Sequence, residues 1–246
     1  MDLLLLFAAG SATAAATGLG ALPVAWLGRR ANDLRPAMWG LTIGLMGVAS
    51  VVGLLLPALD GGSAIAVWSG VMAGVAFLLA TKQLLRTHDV GLGGLRGAGV
   101  RRAILVFVVL FVHSIPEGFA IGTAYASDTA GLSLFVILAI GLQNVPEGTS
   151  VAIPMNAAGF STRRQFWAAV LTSTPQPLGA VGAYLLVEQI DSLLPASFGF
   201  AAGAMLAILI VELVPQAFAR GHRVQAAVGT AAGAVLMLAL AATLGV

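Results

Sequence analysis

Cysteine is absent from all 246 residues. That absence excludes a disulfide framework, a thiolate zinc site and a thiol nucleophile. Charge is almost as scarce. Asp, Glu, Lys and Arg make up 9% of the chain, against about 25% in an ordinary soluble domain. No His-Glu-x-x-His, Gly-x-Ser-x-Gly or Walker-type loop occurs, so hydrolytic and ATP-driven chemistry lack their usual signatures. What is abundant is apolar surface: 59% of residues are hydrophobic and the mean hydropathy is +0.99. Such a chain could not face water and has the lipid bilayer as its natural solvent.

Apolar runs broken by charge or by Gly and Pro predict an all-α polytopic membrane protein with eight transmembrane helices in one domain covering 1–246. The spans fall at roughly 3–28, 36–57, 64–85, 103–125, 131–157, 165–187, 194–218 and 225–245. The start, Met1-Asp2 before an apolar run, has no basic stretch and no small-residue cleavage site, so it reads as the first span and not as a removed signal peptide. All 12 basic residues sit in four places. Arg29, Arg30 and Arg35 follow span one. Lys82, Arg86, Arg96, Arg101 and Arg102 lie at or after the end of span three, the last three in or just after a Gly-rich stretch at 90–100. Arg163 and Arg164 follow span five, and Arg220 and Arg223 follow span seven. The other loops carry Asp60, Asp128, Glu188 and Asp191 and no Lys or Arg. This alternation is the positive-inside pattern. It puts both termini outside a plasma membrane. It also explains the net charge of +2 and pI of 9.7 by topology, with no nucleic acid as partner.

Few ionisable groups remain at membrane depth: His113, Glu117, Glu147 and Glu212. A charge there costs about 3 kcal/mol or more and marks a buried pair, a ligand or an aqueous path. Two of the acids lie in matching sequences, His113-Ser114-Ile115-Pro116-Glu117-Gly118 and Gln143-Asn144-Val145-Pro146-Glu147-Gly148. In each, the first polar residue and the Glu are one helical turn apart on one face. Pro removes the donor for the carbonyl four residues earlier, at Val112 and Leu142. Imidazole, carboxylate and amide together suit a borderline ion such as zinc better than magnesium or calcium. A lone His-Glu pair is as readily a structural hydrogen bond; the duplication with Pro and Gly favours a metal. Gly40-x-x-x-Gly44-x-Met46 in span two is echoed by Gly199-x-x-x-Gly203-x-Met205 in span seven, the spacing of close helix packing and the layout of an inverted repeat. Met205 reads as packing.

These motifs resemble those of the ZIP (Zrt/Irt-like) family of divalent-metal transporters. The likeness runs from Ala16-Thr17-Gly18-Leu19-Gly20-Ala21-Leu22-Pro23 to Glu212-Leu213-Val214-Pro215. It is strongest in the two Pro-Glu-Gly helices and the Ala152-Ile153-Pro154 that follows. The resemblance implies a 3+2+3 inverted-repeat bundle that takes up zinc or a related ion (cadmium, iron or manganese) toward the cytoplasm without ATP. It further implies a site of Met46, His113, Glu117, Gln143 and Glu147.

The departures concern a neighbouring second site. Its positions hold Ser114, Asn144 and Gln176, where relatives often have Asn, Asp or Asn, and Glu. In span seven the usual acid pair is Val211-Glu212, and the acid after Pro215 is Gln216. Each missing carboxylate removes a charge that would offset a dication, so one metal site is expected, not a binuclear centre. The loop after span three, often His-rich in the family, offers only His88-Asp89. His222, beside Arg220 and Arg223, is expected to face solvent. Ligands must lose protons to bind, so transport should weaken in acid. Transport of another cation or solute, and metal binding without transport, stay open as alternatives. Gly/Ala-rich faces permit a homodimer.

Overall fold

The computed structural model describes residues 3–87, 98–219 and 221–246. Met1, Asp2, His88, Asp89, Arg96, Arg220 and most of the Gly-rich stretch lie outside the described residues. Within them the chain is helix joined by short turns, without strand. Seven stretches among the described residues are long and apolar enough to cross a membrane: Leu3–Leu27, Ala31–Gly61, Ala64–Leu84, Phe107–Ala126, Leu132–Ala157, Asp191–Ala217 and Arg223–Leu244. The protein is a multi-pass, all-α integral membrane protein.

The first stretch is α1 (Leu3–Leu19) and α2 (Ala21–Leu27), broken at Gly20. The second is α3 (Ala31–Ser50), a π-helical turn at Val51–Leu55, and α4 (Leu56–Gly61). It begins earlier than the expected 36, with Asp33 and Arg35 on its polar first turns and Pro36 inside the helix, where the Asn32 carbonyl loses its amide partner. Next come α5 (Ala64–Thr87), α6 (Ala98–Ala126) and α7 (Leu132–Ala157). The expected span at 165–187 is two helices, α8 (Thr162–Thr172) and α9 (Pro175–Gln189). Pro175 opens α9 at its first position, where a missing N–H is harmless. Then α10 (Leu194–Ile208), a second π-helical turn at Leu209–Leu213, α11 (Val214–Ala217) and α12 (Arg223–Leu244) complete the bundle.

Lipid supplies no hydrophobic force between helices, so close backbone approach at small residues must hold them. A Cβ added at Gly40 or Gly44 of α3 would strike the Ala226 or Thr230 carbonyl of α12, and one at Gly229 or Gly233 would strike Ala37 or Leu41. In the same way Gly70 and Gly74 of α5 meet Ala196 and Phe200 of α10, while Gly199 and Gly203 meet Val67 and Val71. The remaining close pairs are α6 with α9, through Gly118 and Gly122, and α1 with α7, through Gly148. In the first three pairs residue numbers rise together along both helices, so the partners run parallel. With α8–α9 counted in as the sixth of eight helical stretches among the described residues, so that α10–α11 is the seventh and α12 the eighth, exchanging one with six, two with seven, three with eight and four with five converts each pair into another. That exchange swaps odd with even stretches, which is the relation of inverted repeats. Both π-helical turns fall at matching places in it, each just before a Pro (Pro57 and Pro215).

Gly148→Ala should push α1 from α7 and cost about 1–3 kcal/mol as an overpacking change. Gly182→Ala, with open space at its Cβ, should be near neutral. Thermal unfolding of the two variants in detergent checks the difference.

Candidate metal site

Four helical faces converge on one cavity of about 240 Å³. From α3 it takes Arg35, Trp39, Thr42 and Met46, spaced at i, i+4, i+7 and i+11 as one helical face requires. α6 contributes Val109, Leu110, His113 and Glu117, and α7 contributes Glu147, Ser150 and Pro154. The seventh stretch adds Ile208, Glu212, Leu213 and Gln216. Of the expected ligands, Met46, His113, Glu117 and Glu147 therefore share one wall. Met205, the other half of the Gly-Met echo, is buried in the apolar core and is not on that wall. Among the described residues no three of His, Asp and Glu are close enough to form a ready-made metal cluster. The acids and the imidazole share a cavity, not a closed cage.

Glu117 is 1% exposed. Both of its oxygens are already engaged. Gln143 Nε2 donates to Oε1 at 2.8 Å, and Gln176 Nε2 donates to Oε2 at 2.7 Å. A carboxylate offers about four lone-pair positions, so two remain for another partner. Gln143 itself stands beside the cavity wall, not on it. Its Oε1 is fully buried and has no hydrogen-bond partner. An orphaned buried acceptor is costly to leave unmade, about 1–3 kcal/mol, and is an oxygen donor of the kind a cation would satisfy.

Behind Glu117 lies a closed amide network. Asn144 Nδ2 donates to the Thr13 carbonyl at 2.7 Å and to Gln176 Oε1 at 3.0 Å. Thr13 Oγ1 donates to the same Gln176 oxygen at 2.9 Å, and Gln176 Nε2 reaches Asn144 Oδ1 at 3.3 Å. Ser114 Oγ donates to the Leu110 carbonyl at 3.1 Å. Asn144 and Gln176 thus occupy each other, and Gln176 occupies Glu117, with neutral hydrogen bonds, while Ser114 is turned to its own helix. Glu212, the fourth of the weaker candidates, lies apart on the cavity wall, 20% exposed, with Oε2 3.8 Å from His113 Nε2.

Sequence reasoning missed the lower half of the cavity. Trp39 Nε1 donates to Ser150 Oγ at 2.8 Å across α3 and α7, and the Arg35 guanidinium lies 5.3 Å from the Trp39 ring centre. The signal was available: Thr42 and Ser150 sit one turn from Met46 and Glu147 on the faces those residues define. His222 is exposed, as expected.

The fold and this cavity define a membrane protein in which Glu117, Glu147 and Glu212 line one cavity with an imidazole and a thioether, between the helices. That is a donor set of the kind that holds a cation inside a membrane protein. The ZIP zinc transporter profile matches residues 93–241. The chain is 34% identical over 242 residues to zinc transporter GufA of Myxococcus xanthus, covering 94% of this chain and 95% of that one. It is 36% identical over 254 residues to zinc transporter ZIPB of Bordetella bronchiseptica, covering 96% and 80%. A candidate zinc transporter of Arabidopsis thaliana is 34% identical over 212 residues, and the chain spans 33% of that longer protein. The chain belongs to the ZIP zinc transporter family.

Proposed function

We propose that this protein carries zinc into the cytoplasm, down its gradient and without ATP, through one intramembrane site. The observation that carries the reading is the shared wall of Met46, His113, Glu117 and Glu147. Two carboxylates formally neutralise a dication. The imidazole and thioether add borderline and soft donors suited to zinc, and Gln143 Oε1 is a further oxygen within the same helix face. A loaded site carries no net charge and rearranges in the membrane more readily than two bare carboxylates.

What supports the inward direction is where the cavity runs. From Met46, Glu117 and Glu147 it extends along every helix toward the ends that carry Arg35, Arg163 and Arg223, the expected cytoplasmic side. The opposite direction along the same helices is filled by Leu54, Ala120, Ile121, Ala124, Phe135, Val136, Ala139, Phe198 and Ala202, each nearly or fully buried. This supports a site open inward and sealed outward. It accords with eight crossings and both termini outside. The amide network around Gln176 supports a single metal.

The chain has no cysteine, so single cysteines report access directly. Ser150→Cys should react with a membrane-impermeant maleimide from the cytoplasmic face, and zinc should protect it. Ala124→Cys, 0% exposed, should stay silent from both faces. Labelling of Ser150→Cys from outside only would refute the inward opening. Zinc flux into proteoliposomes no greater than into protein-free vesicles would refute transport itself.

A further inference from the structure

Lys82 lies near the C-terminal end of α5, and its ammonium is turned toward Glu212 of the neighbouring seventh stretch. Its Nζ lies 3.9 Å from Glu212 Oε2 and 3.5 Å from the Val211 carbonyl oxygen. That carbonyl is available for a stated reason. Pro215, four residues on, has no N–H to give it, and the π-helical turn at Leu209–Leu213 has already displaced the regular pairing. One carboxylate and one freed carbonyl are therefore turned toward the same ammonium. The same Glu212 oxygen is 3.8 Å from His113 Nε2 on its other side.

Glu212 stands on the wall between His113 and the exposed Gln216. A dication leaving Glu117 and Glu147 for the cytoplasmic side passes it. Without a counter-charge, Glu212 and the Val211 carbonyl would make a second oxygen-lined well on the exit path, beside His113. A cation that binds too well there leaves slowly, and conduction needs sites weak enough to leave. Lys82 already matches the charge of Glu212.

We infer that Lys82 is a tethered counter-cation that holds Glu212 at the inner mouth, prevents it from becoming a second zinc trap, and so speeds release. Lys82 is a positioning residue: it acts through Glu212 and does not touch the transported ion. The inference rests on the proposed zinc site above.

Zinc titration calorimetry on the purified full chain, paired with zinc uptake into proteoliposomes, tests it. The wild type should bind one zinc. Lys82→Met keeps the stem and removes the charge; it should bind a second zinc and lower the maximal uptake rate at least fivefold, with an unchanged or lower KM. Adding Glu212→Gln to Lys82→Met should remove the second zinc. Lys82→Arg should restore one zinc and the faster rate, which a merely structural defect would not do. Lys82→Gln serves the same purpose if the Met variant does not fold. One zinc and wild-type uptake in the charge-removed variant would overturn the role of Lys82 while leaving the main site standing. A wild type that binds no zinc would overturn the main site, and this inference with it.

Discussion

Glu147→Ala should lower zinc uptake into proteoliposomes by about a hundredfold or more. The loss leaves Glu117 alone to offset a dication in a poorly solvated cavity. Removing one partner of a buried charge pair costs about 3–5 kcal/mol, and each 1.4 kcal/mol is about tenfold in an equilibrium constant. The prediction separates ligation from packing when neighbours are compared. Met46→Leu preserves bulk but removes the thioether, and should weaken zinc binding several-fold with little change in thermal stability. Met205→Leu changes the corresponding Met of the repeat, which packs in the core, and should leave binding unaltered. Equal uptake by wild type and Glu147→Ala would sink the site assignment.

Gln176→Glu should convert the protein from one bound zinc to two, and make its stability depend on zinc. At present the Gln176 amide donates to Glu117 at 2.7 Å. The substitution deletes that donor and sets a second carboxylate against the first. Without metal the pair repels, in a fully buried position, and the melting temperature should fall. A zinc ion bridging the two carboxylates, with Asn144 beside them, relieves the repulsion. A ligand at 100 times its Kd stabilises the folded state by about 2.7 kcal/mol, so the variant's melting temperature should rise steeply with zinc. Gln176→Ala lowers stability through the lost network and should gain no zinc. A single zinc in Gln176→Glu would show that more than this one charge separates the protein from a two-metal site.

The sequence made the helices legible because lipid demands long apolar runs, and it made the duplicated Pro-Glu-Gly motif legible because its residues are local. Gly40, Gly44, Gly199 and Gly203 also read correctly as packing positions, since close approach leaves few alternatives to glycine. The break between Thr172 and Pro175 was not anticipated, although the polar run Thr172-Ser173-Thr174 and the Pro175-Gln176-Pro177 after it both signal one. The occupants of Glu117 were less legible still. Gln143 reaches it from the neighbouring helix, but Gln176 and Thr13 join the network only because α9 packs on α6 and α1 on α7 in parallel register. Lys82 was read as a loop charge for topology. Its partner lies 129 residues further along the sequence, and no local pattern announces it.

The two π-helical turns are one residue of slack in otherwise regular rods. An extra residue in a turn rotates all that follows by roughly 100°, since 3.6 residues complete an α-helical turn. In the seventh stretch that rotation falls between the core-facing Met205 and the cavity-facing Glu212 and Gln216. Winding the slack out would swing the acid away from His113 and Lys82 and close its face against lipid. The same slack sits beyond Met46 in the second stretch, so each half of the bundle holds its own store of twist on a helix that borders the cavity.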